Sequence, residues 1–231
     1  MKKKKDKKDK IYVSVGRMRD IDRAASEKYA IASLILMENA GRALALESLK
    51  ILKKLKNKKT AVVCGSGNNA GDGFVAARYL INKGVETKVI LAKKADLFEG
   101  DCKVNFAILQ KLKADISYSP DFIGESGLVI DALLGTGLDG DVRKETAEVI
   151  KKINASKAYV ISADIPSGLD GDGGDCKGCA VKADKTVAFA FLKLAFKNKS
   201  AKKYTGTIIT ADIGIPAAAV KDMVENEKVQ N

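Results

Sequence analysis

Residues 60–73 read Thr60-Ala-Val-Val-Cys-Gly-Ser-Gly-Asn-Asn-Ala-Gly-Asp-Gly73, a short apolar run followed by a loop rich in glycine and amide side chains. The apolar run predicts a buried strand over residues 60–64, and a helix is predicted near residues 71–83. Glycines in such a loop allow a tight turn and let backbone N–H groups approach an anion at the start of the helix. This order favours the first unit of a parallel α/β sheet. A purely structural turn is the alternative interpretation of the loop.

The same alternation continues along the chain. Further strands are predicted near residues 87–92, 115–118, 127–131, 158–164, 185–191 and 206–212, and helices near residues 17–30, 33–56, 101–113 and 143–154. Strands that alternate with helices predict a parallel sheet covered on both faces. The predicted fold is therefore α/β, a Rossmann-like three-layer α/β/α sandwich with a mostly parallel sheet and an N-terminal helical extension.

Composition points to one domain in a reducing compartment. The chain has 231 residues, 46% of them hydrophobic, and we expect a single domain over residues 17–231 after a lysine-rich disordered tail and lead-in over residues 1–16. The net charge of +12 suits either a phosphate-rich ligand or ordinary solubility. No apolar run approaches the roughly 18 residues of a membrane-spanning helix. Four cysteines are too few for a disulfide scaffold, so we expect a cytoplasmic protein.

The sequence contains no histidine. This composition excludes a Ser-His-Asp triad, a zinc site with histidine ligands and a histidine general base. Any proton transfer must therefore use Asp, Glu, Lys, Tyr or Cys.

Two aspartates close apolar strands. Asp131 ends the strand near residues 127–131, and Asp164 ends the strand near residues 158–164. Ligands of open α/β sheets bind beyond the carboxyl ends of the strands, so these carboxylates and the glycine loops after the first and fourth strands should line one crevice. The alternative is that each aspartate only caps a loop or a helix.

The residues after the second strand argue against a dehydrogenase. Residues 65–70 match G-x-G-x-x-A, but a nicotinamide dehydrogenase also has Asp or Glu at the end of the second strand to bind the ribose. Lys93 and Lys94 occupy that place here. A hydride-transferring Rossmann enzyme is therefore disfavoured.

Taken in order, the motifs resemble the NAD(P)H-hydrate epimerase family, the YjeF N-terminal domain, over roughly residues 17–216. The motifs are Met18-Arg-Asp-Ile-Asp-Arg23, Leu36-Met-Glu-Asn-Ala-Gly-Arg42, Gly65 to Gly73, Asp131-Ala-Leu-Leu-Gly-Thr-Gly137, Asp164-Ile-Pro-Ser-Gly168, Ala180-Val-Lys-Ala-Asp184 and Gly206 to Pro216. The resemblance is to the stand-alone epimerase domain, and it implies a homodimer that acts together with a separate NAD(P)H-hydrate dehydratase.

The resemblance also implies the ligands and the residues that bind them. The substrate would be the hydrated dinucleotide NADHX or NADPHX, with one potassium ion per subunit. The implied dinucleotide-binding residues are Asn68, Asn69, Ala70, Gly71, Asp72, Gly135, Thr136, Gly137, Leu138, Asp139, Gly140, Asp141 and Asp164. The implied potassium ligands are Asn69, Asp131 and Ser167.

The resemblance implies catalysis by a carboxyl group. The substrate carries a hydroxyl at C6, next to ring nitrogen N1, and protonation of this hydroxyl lets water leave and return on the other face. Asp164, implied to contact the hydrated nicotinamide, is the candidate proton carrier. Lys193 falls where the family has Ala-Pro-Lys, although the proline is missing, and it would either orient Asp164 or bind a phosphate.

Two further expectations concern partners. The second predicted helix carries apolar residues on more than one face, which suits a partner subunit as well as the sheet.

The alternative function is a non-catalytic dimeric scaffold of the same family that binds a dinucleotide or RNA. The lysine-rich tail fits this alternative. The presence of Asn69, Asp131 and Asp164 favours the enzyme, and we do not expect nucleic acid as a ligand.

Overall fold

The computed structural model describes residues 11–221, so the lysine-rich stretch at residues 1–10 lies outside the described residues. The helices are α1 (Val15–Glu27), α2 (Ser33–Leu52), α3 (Asn68–Asn82), α4 (Gly100–Lys111), α5 (Phe122–Glu125), α6 (Lys144–Ala155) and α7 (Lys202–Thr205). The strands are β1 (Tyr12–Val13), β2 (Thr60–Cys64), β3 (Thr87–Leu91), β4 (Asp115–Ser117), β5 (Leu128–Ala132), β6 (Tyr159–Ala163), β7 (Lys185–Phe189), β8 (Leu192–Lys193) and β9 (Thr207–Ala211).

Seven of these strands form one sheet in the order β4-β3-β2-β5-β6-β7-β9. All neighbouring strands in this sheet are parallel. The order reverses between β2 and β5, and ligands of open α/β sheets bind where the order reverses. The predicted Rossmann-like architecture is confirmed.

Alternate residues of the central strands face two separate cores. Val62 and Cys64 of β2 belong to a core that includes α2, α3 and α4 side chains. Ala61 and Val63 of the same strand belong to a second core with Ile123, Ile150 and Ile153 from α5 and α6. A strand sends successive side chains to opposite faces, so this division produces the three layers.

Helix α3 begins three residues earlier than the sequence predicts. The N–H groups of Ala70 and Gly71 both donate to the carbonyl of Gly67, which closes the first turn. The added residues are Asn68, Asn69 and Ala70, and asparagine is a weak helix former, so the sequence favoured a later start. Gly71 packs closely inside this helix, because a Cβ there would lie only 2.5 Å from Sδ of Met37 in α2.

The residues expected to form a lead-in are part of the fold. Tyr12 pairs with Leu192 and Val13 with Lys193, in a small parallel sheet of β1 and β8. Ser14 then caps α1 by accepting a hydrogen bond from the N–H of Arg17. Two-residue strands leave too little pattern for recognition from sequence. Over residues 11–221, no helix combines the length and the hydropathy that crossing a membrane would require.

Candidate active site

A large cavity, about 760 Å³ in volume, opens at the carboxyl ends of the central strands. Its walls come from the loops after β2, β3, β5 and β6, from helices α1 and α2, and from strand β8. The sequence-predicted residues that line it are Asn68, Asn69, Asp72, Gly135, Thr136, Gly137, Leu138, Asp139, Asp141, Asp164 and Lys193. The structure therefore brings both glycine loops and the predicted catalytic pair into one crevice.

The first glycine loop presents its side chains and the start of α3 to the cavity. Asn68 is exposed, whereas Asn69 and Asp72 are buried. A helix start carries partial positive charge and unpaired N–H groups, so it favours an anion such as a phosphate. Ala70 and Gly71 lie behind this surface, since Ala70 belongs to the core and Gly71 packs against Met37.

The second glycine loop, residues 135–141, forms the opposite wall of the crevice. Gly135 lies against the first loop, since a Cβ there would be 3.3 Å from Cβ of Asn69. Gly140 does not line the cavity; its φ of +69° is the left-handed conformation that a turn requires and that glycine adopts readily.

Asp131 is fully buried at the end of β5. Its Oδ2 accepts hydrogen bonds from the Ser162 hydroxyl at 2.7 Å and from the Ser167 N–H at 2.9 Å. Its Oδ1 accepts from the Ser167 hydroxyl at 2.5 Å and from the Leu133 N–H at 3.4 Å. Burial raises the pKa of Asp131, and the hydrogen bonds from Ser167, Ser162 and Leu133 lower it. All four donors are uncharged, so these bonds bring no positive charge to the carboxyl group.

Asn69 and Ser167, the other two predicted potassium ligands, share the carbonyl of Leu134 as a hydrogen-bond partner. Nδ2 of Asn69 donates to the carbonyl of Leu134 at 3.1 Å, and the Ser167 hydroxyl also lies 3.1 Å from that oxygen. Carboxylate, amide, hydroxyl and carbonyl oxygens are the ligands that hard cations prefer. Within residues 11–221, no three His, Cys, Asp or Glu side chains gather as a metal cluster. Among Asn69, Asp131 and Ser167 one side chain is a carboxylate, and a single negative charge fits a monovalent cation better than a divalent one.

Asp164 and Lys193 form an ion pair at the other end of the cavity. Nζ of Lys193 lies 2.6 Å from Oδ1 of Asp164, and the Phe189 N–H donates to the same oxygen at 2.9 Å. Nζ also lies 3.4 Å from the carbonyls of Phe189 and Phe191. Asp164 has a φ of +61°, a conformation that non-glycine residues seldom adopt and that tends to occur at functional sites. Of the two predicted roles for Lys193, this geometry matches the orientation of Asp164.

Two more carboxyl groups belong to the same end of the cavity. Burial raises the pKa of Asp72 well above its usual value, and the negative charges of Asp164 and Asp22 raise it further, against the lowering effect of Lys193. Burial likewise raises the pKa of Asp22 to about 6, with a further contribution from Asp164. Asp22, Asp72 and Asp164 are thus coupled electrostatically to one another and to Lys193.

Several residues that line the cavity carry no signal in the sequence that marks them as part of the site. They are Arg19 and Asp22 of α1, Lys93 after β3, and Arg143 and Thr146 at the start of α6. Arg19 and Asp22 lie in the quoted motif of residues 18–23, but nothing in the motif indicates which side of α1 faces the crevice. Lys93 was noticed only for the acidic residue that it replaces.

Comparison with known proteins supports one family. A model of the family described as the YjeF-related protein N-terminus matches residues 33–195. The NAD(P)H-hydrate epimerase of Pirellula staleyi is 37% identical over 212 residues, which cover 88% of this chain and 92% of that one. The NAD(P)H-hydrate epimerase of Elusimicrobium minutum is 35% identical, with coverage of 88% and 96%.

A longer relative agrees with this grouping, and a solved structure has the same fold. The bifunctional NAD(P)H-hydrate repair enzyme Nnr of Moorella thermoacetica is 36% identical over 94% of this chain, and this chain covers 43% of that enzyme's length. The crystal structure of the yeast protein ynu0 has the same fold, with a TM-score of 0.78 at 21% identity over 92% of this chain and 93% of that chain.

Proposed function

The chain belongs to the family of YjeF-related protein N-termini, and we propose that it is an NAD(P)H-hydrate epimerase, an isomerase that interconverts the R and S epimers of hydrated NADH and NADPH. The observation that carries this proposal is the ion pair of Asp164 with buried Lys193 at one end of a cavity whose walls are two glycine loops. Near-full-length relatives named as NAD(P)H-hydrate epimerases support the same substrate class.

The cavity suits an extended dinucleotide. Its lining residues follow β3, β2, β5 and β6, which are consecutive strands of the sheet, and Lys193 extends the lining to β8. Neighbouring strands lie about 4.8 Å apart, so the crevice runs for on the order of 15 Å along the sheet edge. The start of α3 and the cations Lys93 and Arg143 would bind the phosphates. The hydrated nicotinamide would then lie near Asp164.

The chemistry at Asp164 follows from the substrate. The hydroxyl at C6 and the neighbouring N1 form a hemiaminal, so loss of water gives a planar iminium ion that can add water on either face. A carboxylate beside this ring stabilises the positive charge of the iminium and takes the proton of the incoming water. Lys193 and the Phe189 N–H hold Oδ1 of Asp164 in place for these roles.

We assign the potassium ion to Asn69, Asp131 and Ser167. A bound monovalent cation would neutralise the buried carboxylate of Asp131 and hold the loops after β2, β5 and β6 together. The support is the complete burial of Asp131 among uncharged hydrogen-bond donors.

A homodimer and a cytoplasmic location complete the proposal. Ile35 and Leu46 of α2 are 52% and 46% exposed, and their spacing of eleven residues puts them on one side of the helix. Exposed apolar side chains on one side suit a second subunit. Cys64, Cys102, Cys176 and Cys179 are unpaired, as a reducing compartment would keep them. The product epimer would pass to a separate dehydratase.

The direct test follows the ratio of the two epimers. Purified S hydrate of NADPH, incubated with the protein, should approach the equilibrium mixture of epimers much faster than in buffer, as resolved by chromatography. The Asp164→Asn variant is the control for contaminating enzymes. If the wild-type protein leaves the ratio at the buffer rate while still binding the dinucleotide, the non-catalytic dimeric scaffold is the better assignment.

A further inference from the structure

Asp22 reaches the proposed reaction site from a different part of the fold than the two glycine loops. It lies in α1 and lines the same cavity as Asp72, Asp164 and Lys193. The residue is half-buried.

The packing of α1 fixes Asp22 relative to Asp164. Met18 and Ile21, four residues and one residue before Asp22, form a small buried cluster with Val13. Phe191 and Ile215 pack against this cluster, so α1 is attached to the segment between β7 and β8, which leads directly into the strand that contains Lys193. The N–H of Val15 donates to Asp172 at 2.8 Å at the start of the helix. The carboxyl group of Asp22 is thus held beside the pair rather than on a free end.

The two carboxyl groups have different surroundings. Asp164 accepts hydrogen bonds from an ammonium group and a backbone N–H, both of which stabilise a carboxylate. Asp22 is desolvated and lies near the negative charge of Asp164, and both effects favour its protonated form against the lowering effect of Lys193. A carboxyl group held by two donors and a neighbouring carboxyl group whose burial favours the protonated form are suited to divide the roles of base and acid.

We propose that Asp22 is a second catalytic residue, the one that donates the proton to the C6 hydroxyl of the hydrated nicotinamide. This inference rests on the proposed epimerase function and deepens it. The proton of the Asp22 carboxyl passes to the hydroxyl oxygen, the C6–O bond breaks, and the lone pair of N1 forms the N1=C6 double bond. Water then adds to the opposite face of C6, the π pair returns to N1, and the released proton goes to a carboxylate. No atom is oxidised or reduced.

The charged groups around Asp22 define how its titration should affect the rate. Asp72 of α3, Asp164 after β6 and Lys193 of β8 face it across the cavity, and Arg19 of its own helix lines the same cavity. Because burial raises the pKa of Asp22 to about 6, its protonated fraction falls as the pH rises above that value. The kcat/KM of the wild-type enzyme should therefore fall with rising pH through an apparent pKa near 6.

The test compares Asp22→Asn and Asp22→Glu with the wild type from pH 5 to pH 9, after subtraction of the rate without enzyme. We expect Asp22→Asn to lower kcat at least about tenfold with KM nearly unchanged, and to remove the decrease near pH 6. Asp22→Glu should restore part of the rate together with a pH dependence. Asp20→Asn is the matched control, because Asp20 lies in the same helix with its side chain 43% exposed and paired with Arg23.

The outcomes separate this inference from the proposed function. A wild-type protein that does not epimerise the hydrate contradicts the proposed function itself. Activity in the wild type, with Asp22→Asn within about twofold of its kcat and with the same pH profile, overturns only the role of Asp22. An Asp22→Asn variant that fails to fold would also overturn it, because loss of a carboxyl group that burial disfavours as an anion should not unfold the chain.

Discussion

Nζ of Lys193 lies 2.6 Å from Oδ1 of Asp164, and the two partners are unequally buried, with 1% and 15% of their side chains exposed. The lysine has its remaining hydrogen-bond partners in the carbonyls of Phe189 and Phe191, whereas the aspartate still faces the cavity. Lys193 therefore depends on Asp164 for its counter-charge more than Asp164 depends on Lys193.

Asp164→Asn should lower both turnover and stability. We expect kcat to fall by about 100-fold, because the proton acceptor is lost. The free energy of unfolding should fall by about 3 kcal/mol, because the ammonium group of Lys193 stays buried without a counter-charge. Lys193→Met should destabilise the protein less, since Asp164 keeps its hydrogen bond from Phe189 and its exposure to the cavity. Urea titration and steady-state kinetics measure the two effects.

The double variant Asp164→Asn with Lys193→Met provides the control. It should recover most of the lost stability while remaining inactive, since it removes the buried charge together with its partner. Additive losses of stability in the double variant would show that the two residues do not act as a pair.

Stability should depend on pH through Asp22. Its pKa is about 6 in the folded protein and 3.8 without the fold, so the native state binds more protons between these values. Its contribution to stability is therefore present below about pH 4 and is lost as the pH rises through about 6. Asp22→Asn should be more stable than the wild type at pH 7.5 by on the order of 1–3 kcal/mol. Thermal melts of both proteins at pH 4 and pH 7.5 measure this difference, and equal stability at both values would contradict it.

Asp131→Asn should abolish the response to potassium. We expect the melting temperature of the wild-type protein to rise in potassium chloride relative to tetramethylammonium chloride at equal ionic strength, because a ligand that binds only the folded state stabilises it. The variant lacks the charge that attracts the cation and should melt at the same temperature in both salts. Asp184→Asn is a matched control, since Asp184 accepts a hydrogen bond from Val160 N–H away from the cavity. A wild-type protein that melts identically in both salts would refute the potassium assignment.

Charge placed on the exposed side of α2 should separate the subunits. Ile35→Lys with Leu46→Lys introduces two ammonium groups at positions that are 52% and 46% exposed, so the fold should tolerate them. Light scattering at micromolar concentration should give a dimer mass for the wild type and a monomer mass for the variant. Leu112→Lys, at a leucine that is 48% exposed beside α4, should remain dimeric. A monomeric wild type would end the dimer proposal.

The pattern of apolar runs between glycine loops was sufficient to predict the fold, because these runs form the main strands of the sheet. Thr60–Cys64 and Leu128–Ala132 are fully buried as the sequence predicts. It was not sufficient for the start of α3, which lies at Asn68, three residues before the predicted start. Two-residue pairings such as Tyr12 with Leu192 carry no periodic signal at all.

The candidate site was predicted only in part, for a related reason. Motif order identified Asp131 and Asp164, because the ends of parallel strands meet at one edge of the sheet. The position of Asp22 in the cavity depends on the rotation of α1 about its axis, which is set by Met18 and Ile21 packing near Phe191. Such contacts between distant segments cannot be read from a single sequence.

The central claim is tested most directly by a coupled assay on the R epimer of hydrated NADPH. An S-specific dehydratase present in excess consumes S hydrate at once, so further NADPH appears only as R converts to S. We expect this protein to accelerate the slow phase in proportion to its concentration, and Asp164→Asn to leave that phase near the rate without enzyme. A slow phase that stays at its spontaneous rate over all concentrations of folded wild-type protein would contradict the assignment as an epimerase.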